Sequence, residues 1–354
     1  MDRSVDSPVA GPRVPVRRLL LLLAGVLVAY WAARHASAVG LSWSAAWQLI
    51  RELPWRWSVG LGVVWLVGLW AHTLVLTASM PGLSHGRALS LNLSGSAVSN
   101  VLPLGGVAGT VLNLGMVRGW GHTGADFARF VVVSKAWDLV AKLTMPLVAV
   151  LALLSCGAVE TGRHRALLLV GAAAGAAAGI LVVAALAGRA GVLLKAVTLS
   201  ERLSIWCGRR LGRVRAPAWT AQVTGLLDGA DQLVRRRWGR LSVGMAGYWL
   251  LQGALLWLCM VAVGVHAAVA VVFAGLVVER LLTLLAITPG GAGPVEAGTV
   301  AALIALGVDP TGALAGVLLY RGFIFLAEIP VGGLATLVWL ITRRLDARRT
   351  ARVA

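Results

Sequence analysis

The sequence predicts an all-α, polytopic integral membrane protein with about eight transmembrane helices and two Gly/Pro-broken segments in two repeat-like halves. Three observations carry that prediction. Mean hydropathy is +0.83, and 58% of the 354 residues are apolar while only 13% are charged, which leaves too little polar surface to cover a soluble globule. Apolar stretches of roughly 20 residues, enough to cross a hydrocarbon core of about 30 Å, follow one another along the chain. These stretches are apolar on every face rather than alternating, which selects helices over a β-barrel.

Residues 1–18 are polar and basic, with Pro8, Pro12 and Pro15 keeping them irregular, and are expected as a cytoplasmic tail. Leu19 to Ala33 is the expected first span. Ala36-Ser37-Ala38 behind it fits a small-x-small cleavage pattern, but with so many spans following, a retained anchor is the simpler reading. Trp43 to Trp57 is amphipathic and Trp-rich, the composition of an interfacial segment. Ser58 to Met80 is the second span, stopped by Pro81-Gly82. Residues 87–116 are different in kind, running LSLNLSGSAVSNVLPLGGVAGTVLNLGM from Leu89. So much Ser, Asn and Gly predicts a re-entrant hairpin, tolerable only where protein or a wet cavity surrounds it.

Val131 to Cys156 and Ala166 to Gly188 are spans three and four, the latter with Gly171, Gly175 and Gly179 on a small-residue face suited to close helix contact. Residues 189–240 carry eleven Lys/Arg against Glu201, Asp228 and Asp231. The resulting +8 places this segment in the cytoplasm as a basic linker of amphipathic surface helices. Leu241 to Val265 and Ala267 to Thr288 are spans five and six. Residues 289–307 begin with a Gly/Pro-rich break and continue as a short helix. Thr311 to Thr342 is long, with an interruption expected at Pro330 and Gly332-Gly333, and a basic tail fills 343–354. Both termini and the linker are basic, so all three belong on the cytoplasmic side of the plasma membrane. Parity then asks for four crossings in each half, 19–188 and 241–342.

A formal charge of +18 invites a nucleic-acid reading. The charge sits between and beyond apolar spans, however, where the positive-inside rule accounts for it, and no aromatic-interleaved basic motif accompanies it. The expected partners are membrane lipids with anionic or lipid-linked head groups, not nucleic acid. Cys156, Cys207 and Cys259 are scattered, as are the six histidines, so neither a disulfide framework nor a metal or other cofactor is expected.

Two segments resemble each other: Asn100-Val-Leu-Pro-Leu-Gly-Gly-Val-Ala-Gly109 and Ile287-Thr-Pro-Gly-Gly-Ala-Gly-Pro-Val-Glu-Ala-Gly298. Each is a proline followed by clustered glycines at the end of an apolar stretch, one in each half. Interrupted helices at matching positions point to a transporter's central site, and their broken ends expose backbone groups that can hold a polar head group. The plainer reading is a pair of kinks that serve packing. Ionisable groups inside spans are a second signal, since they are costly in hydrocarbon unless paired or wet. Lys135, Asp138 and Lys142 share one face of span three, with Asp138 and Lys142 at the i, i+4 spacing of an ion pair. Glu279 and Arg280 lie in span six, Glu296 follows the second break, and Arg321 and Glu328 share a face of the last span. These charges are either structural salt bridges or the lining of a polar cavity in which Lys135, Lys142, Arg280 and Arg321 bind a lipid phosphate. Asp138, Glu279 and Glu328 are the acids that could carry a coupling proton.

The NVLP-x-GG-x-x-G and PGGAG-x-x-E segments, placed around a basic central linker, resemble the flippase-like family, also called the lysylphosphatidylglycerol synthase transmembrane region. This family includes the membrane part of multiple peptide resistance factors. The resemblance covers roughly residues 15–345. Asn100, Pro103, Gly105 and Gly106 match the first motif, and Pro289, Gly290, Gly291, Gly293 and Glu296 the second. It implies movement of lipids or lipid-linked intermediates between leaflets without chemistry on them. Many relatives carry an Arg and a Glu shortly after the first proline, where this chain has only Leu104 to Gly109. The soluble aminoacyl-transfer domain of two-part relatives has no counterpart in these residues, so lipid aminoacylation is not expected. Two other functions compete. An intramembrane lipid-phosphate enzyme would need a nucleophile, a base and a phosphate-binding Arg together; residues 288–296 offer Thr288 and Glu296 with no nearby His, and no catalytic constellation emerges. An accessory subunit of an envelope glycosyltransferase or lipid synthase would use the charges for assembly alone.

Overall fold

The structure, a computed structural model, describes residues 42–102, 105–157, 198, 219–285 and 289–353. Every regular element among them is helical. In chain order these are α1 (Trp43–Arg51), α2 (Trp55–Ser79), α3 (His85–Val101), α4 (Gly105–Gly119), α5 (Gly124–Ser155), α6 (Trp219–Ala262), α7 (Val269–Leu282), α8 (Pro294–Ala305), α9 (Pro310–Arg321) and α10 (Glu328–Val353). The expected first and fourth spans, the Ala36-Ser37-Ala38 pattern, the Gly171/Gly175/Gly179 face, most of the basic linker, Pro103, Leu104 and Thr288 lie outside the described residues.

Four described helical stretches are long and apolar enough to cross a membrane: Trp55–Ser79, Gly124–Ser155, Thr220–Ala262 and Pro310–Leu345. On α2 the exposed residues include Val59, Val63, Leu66, Val67 and Trp70, a surface that suits acyl chains rather than water. Its other face runs antiparallel to α6, with Gly68 against Leu251 and Gly244 against Leu74 and Val75. Small residues at these crossings let the backbones approach. Helix α6 begins well inside the segment expected as a linker. No proline interrupts residues 219–262, and packing carries the isolated glycines within them. The Arg-rich stretch is therefore a helical extension of span five. Arg237 donates to the Thr77 carbonyl at 3.3 Å and Arg240 to the Thr77 hydroxyl at 3.5 Å, fastening that extension to the end of α2.

Two antiparallel helical hairpins occupy the places of the two Pro–Gly segments. In the first, α3 and α4 pack so closely that a Cβ at Gly109 would stand 2.6 Å from the Gly95 carbonyl oxygen and 2.7 Å from the Ser99 hydroxyl. In the second, Gly275 of α7 faces Leu303 of α8 while Gly298 faces Leu282. The legs hold 17, 15, 14 and 12 residues. At 1.5 Å per residue each is about 18–26 Å long, shorter than a hydrocarbon core of about 30 Å.

The last span departs from the expected interruption at Pro330 and Gly332-Gly333. Its ladder changes earlier, to a π-helical turn over Gly322–Ala327 between α9 and α10. Pro330 falls in the first turn of α10, where a missing N–H is tolerated. Gly332 serves contact instead: a Cβ there would run into the Leu93 carbonyl and Ala97, so α10 lies directly on the backbone of α3. The π turn stands at the middle of the 36-residue stretch Pro310–Leu345. One apolar core includes Leu61, Leu255, Met260, Leu276 and Leu303. A smaller one around Met80, Leu91, Met116 and Trp339 closes the open end of the first hairpin.

Candidate functional site

The tips of the two hairpins meet. Asn100 Nδ2, at the end of α3, donates to the carbonyl of Phe325 in the π turn at 3.4 Å. The Phe325 ring in turn covers Gly290, in the break of the second hairpin, so closely that a Cβ there would collide with it. Gly290 has φ +58 and Gly293 φ +93, conformations that L side chains adopt only with strain. The break from Pro289 to Gly293 is thus a compact turn, closed by Glu296 Oε2 accepting from the Gly293 N–H at 2.6 Å.

Arg321 holds this turn from α9. Its Nε donates to Glu296 Oε1 at 2.6 Å and its Nη2 to the Gly290 carbonyl at 2.8 Å, while its Nη1 stands 3.6 Å from Glu279 Oε1. The guanidinium carbon lies 5.1 Å from the centre of the Phe325 ring, a cation–π contact. Arg280 is the second cation. Its Nε is 2.7 Å from Glu279 Oε2, and its Nη2 donates to the Tyr320 hydroxyl at 2.6 Å. Its guanidinium faces Trp249 at 4.8 Å. Both Glu279 oxygens and Arg280 Nε lack a well-aligned hydrogen bond, so Glu279 is held by charge rather than by donor geometry. From Tyr320 the polar chain continues: its hydroxyl donates to Gln252 Oε1 at 3.2 Å, and Gln252 Nε2 donates to the Tyr248 hydroxyl at 2.9 Å. The Tyr248 ring stacks on His72 at 4.4 Å. Glu279 is 1% exposed, Arg321 7% and Glu328 8%, so charge sits deep among apolar side chains.

Of the residues singled out from the sequence, Asn100, Glu279, Arg280, Gly290, Glu296 and Arg321 come together here. Gly291 (φ +73) completes the turn that Pro289 opens. Gly105 opens α4 and its carbonyl accepts from the Ser99 hydroxyl at 3.1 Å, whereas Gly106 faces open space. Lys135, Asp138 and Lys142 do not join. Asp138 and Lys142 form the expected ion pair at 2.9 Å, Lys135 is exposed, and none of the three bonds to the Arg–Glu cluster among the described residues. Lys135 and Lys142 thus lie outside the hydrogen bonds and ion pairs of Arg280 and Arg321 among the described residues. Glu328, separated from Arg321 by the π turn, makes no ion pair among the described residues. Tyr248, Gln252, Tyr320 and Phe325 were not anticipated. Two of the chain's three tyrosines and a glutamine four residues from one of them, all within apolar spans, are the signal that could have found the first three. A buried polar group in hydrocarbon must find a partner. Phe325, one apolar residue among many, gives no such signal.

Residues 18–332 match the lysylphosphatidylglycerol synthase TM region. The chain belongs to that family. The match contains both hairpins, the π turn and all five charged residues around the tips. It makes this a multi-pass membrane protein of lipid and envelope biosynthesis. No curated protein matches the chain.

Proposed function

We propose that this lysylphosphatidylglycerol synthase transmembrane-region protein moves a lipid with an anionic head group between the leaflets of the plasma membrane. The lipid is an anionic phospholipid or a polyprenyl-phosphate type intermediate, and both termini are cytoplasmic. The observation that carries this reading is the meeting of two glycine-broken hairpin tips, one from each half, at the middle of a spanning helix and around two buried guanidinium groups. Broken elements in corresponding positions of two halves are the architecture in which transporters place a substrate at mid-depth. Guanidinium forks match phosphate oxygens in two-point geometry. In the resting arrangement Glu296 and Glu279 fill the place of that anion. A phosphate arriving at Arg321 exchanges with Glu296, which keeps its bond from the Gly293 N–H and so is never left without a partner. Acyl chains remain in lipid against the exposed apolar faces while the head group passes between the tips.

The test is reconstitution of the purified full chain in liposomes containing labelled anionic phospholipid, labelled polyprenyl phosphate or labelled zwitterionic lipid. Movement of an anionic lipid faster than in protein-free liposomes, and lost in Arg321→Gln, is the expected result. Equal rates across the panel overturn the proposal. A second reading, an assembly subunit for an envelope glycosyltransferase or lipid synthase, draws on the pairing of both arginines by carboxylates. Under it, neutral replacements at Arg321 and Glu296 leave cellular function intact. An enzyme reading gains nothing from the geometry, because Glu296 is engaged by Arg321 and the Gly293 N–H.

A further inference from the structure

Three carboxylates and two guanidinium groups are gathered at the hairpin tips, and their pairing is uneven. Arg321 engages Glu279 and Glu296, and Arg280 engages Glu279. Both cations are thereby taken. Glu328, only 8% exposed, has no ion-pair partner among the described residues. The groups that face it are Ser96 on α3, Trp65 on α2 and Tyr248 on α6. Arg280 on α7 and Arg321 on α9 stand beyond ion-pairing distance. The other two acids that could carry a proton are both matched, Asp138 by Lys142 at 2.9 Å and Glu279 by two guanidinium groups.

The placement of Glu328 follows from the helix. In an uninterrupted α-helix residue 328 would lie two turns, about 10 Å, beyond Arg321 on the same face. The π turn over Gly322–Ala327 widens the spiral and rotates the carboxyl toward the first hairpin instead. Single π turns inside α-helices recur at functional sites. A buried carboxylate without an ion-pair partner is costlier than its neutral form. With all three carboxylates charged the cluster carries one unmatched negative charge, and one proton removes it.

We propose that Glu328 is a proton-binding site, and that it takes up its proton together with the anionic head group. The second clause rests on the transport reading above. A phosphate that displaces Glu296 from Arg321 adds negative charge beside Glu328, so head group and proton bind with positive linkage, each favouring the other. An inward-directed proton gradient then drives lipid from the acidic to the alkaline side.

Two experiments separate the site from its coupling. In the first, the full chain in nanodiscs is titrated by infrared difference spectroscopy and treated with a hydrophobic carbodiimide, which reacts with protonated carboxyls in apolar surroundings. The expected result is a pH-dependent protonated-carboxyl band that is lost in Glu328→Gln, shifted in Glu328→Asp and kept in Asp138→Asn, with the carbodiimide adduct mapped to Glu328. Absence of a Glu328-dependent band together with absence of an adduct at Glu328 in the unmutated chain overturns the site, and the adduct readout does not depend on any variant folding. In the second, liposomes bearing a labelled anionic phospholipid receive an imposed pH gradient. Accumulation on the alkaline side, falling to the gradient-free rate in Glu328→Gln, supports coupling. Lipid movement in the native protein that ignores the gradient overturns coupling while leaving transport intact. A Glu328 band in a protein that moves no lipid sustains the site and counts against the transport reading alone.

Discussion

Replacing Arg321 by Gln removes the group that ties three segments together. What each partner loses can be followed from the geometry. Glu296 retains the Gly293 N–H at 2.6 Å. Glu279, 1% exposed, keeps only Arg280. The Gly290 carbonyl loses its donor at 2.8 Å. Removing one partner of a buried ion pair costs about 3–5 kcal/mol, and a single hydrogen bond to a charged group contributes roughly 1.5–3 kcal/mol. With Glu296 partly relieved, the expected loss for Arg321→Gln is about 3–5 kcal/mol. Glu296→Gln should cost less, about 1–3 kcal/mol, because the amide oxygen still accepts from Arg321. If the two residues act as one unit, the double variant costs less than the sum by roughly 1–3 kcal/mol. Reversible unfolding in mixed micelles measures all three. A loss below about 1 kcal/mol for Arg321→Gln, or strict additivity in the cycle, refutes the claim that this guanidinium holds the break together.

Gly332→Leu should force α10 away from α3, since even a Cβ meets the Leu93 carbonyl and Ala97. Overpacking of about 1–3 kcal/mol or more is expected, read as a lower unfolding midpoint and faster hydrogen exchange along α3. Gly290→Ala combines a positive φ with a collision against Phe325. It should slow lipid movement at least tenfold while a control Gly106→Ala, which faces open space, leaves the rate unchanged. Asp138→Asn should lower stability by roughly 1.5–3 kcal/mol, read as a lower unfolding midpoint, because it takes a charged hydrogen-bond partner from Lys142 within a spanning helix.

The two breaks were legible because their cause is local, although residues 267–288 were read as a full span where α7 is a short hairpin leg of 14 residues. Asn100 to Gly109 and Pro289 to Gly293 break helices through residue types that carry their backbone consequences with them. The Asp138–Lys142 pair was legible for the same reason, being fixed by the four-residue spacing. What could not be read depended on distant parts of the chain. The π turn is one case: Pro330 was seen as the interruption, yet the helix changes earlier, over Gly322–Ala327, where Asn100 from the first half meets the Phe325 carbonyl. Glu328 was placed with Arg321 by counting helical turns, and the π turn undid that count. Lys135 shares its face of α5 with Asp138 and Lys142, but which side of α5 meets the bundle is decided by the helices around it. The long α6 was divided at residue 240 because charge signalled a linker. Charge marks a water-facing surface, however, and a helix can continue through it.

The energetic position of the cluster bears on why it exists. Replacing a buried ion pair by apolar residues of similar volume is often neutral or stabilising by about 1–4 kcal/mol, and hydrogen bonds between helices in a bilayer contribute on average only about 0.6 kcal/mol. Packing alone therefore has little use for Glu279, Arg280, Glu296, Arg321 and Glu328 at mid-depth, where leucines would serve the bundle as well. Their arrangement makes more sense as a site whose two cations are matched when empty and that can still receive an anion. Each guanidinium is matched by a carboxylate that has, or can acquire, another partner: Glu296 through the Gly293 N–H, Glu279 through the second arginine. On the transport reading, exchange of one anion for another at Arg321 leaves neither arginine without an anion, and the unmatched Glu328 is a place where the core can change its net charge as the head group comes and goes.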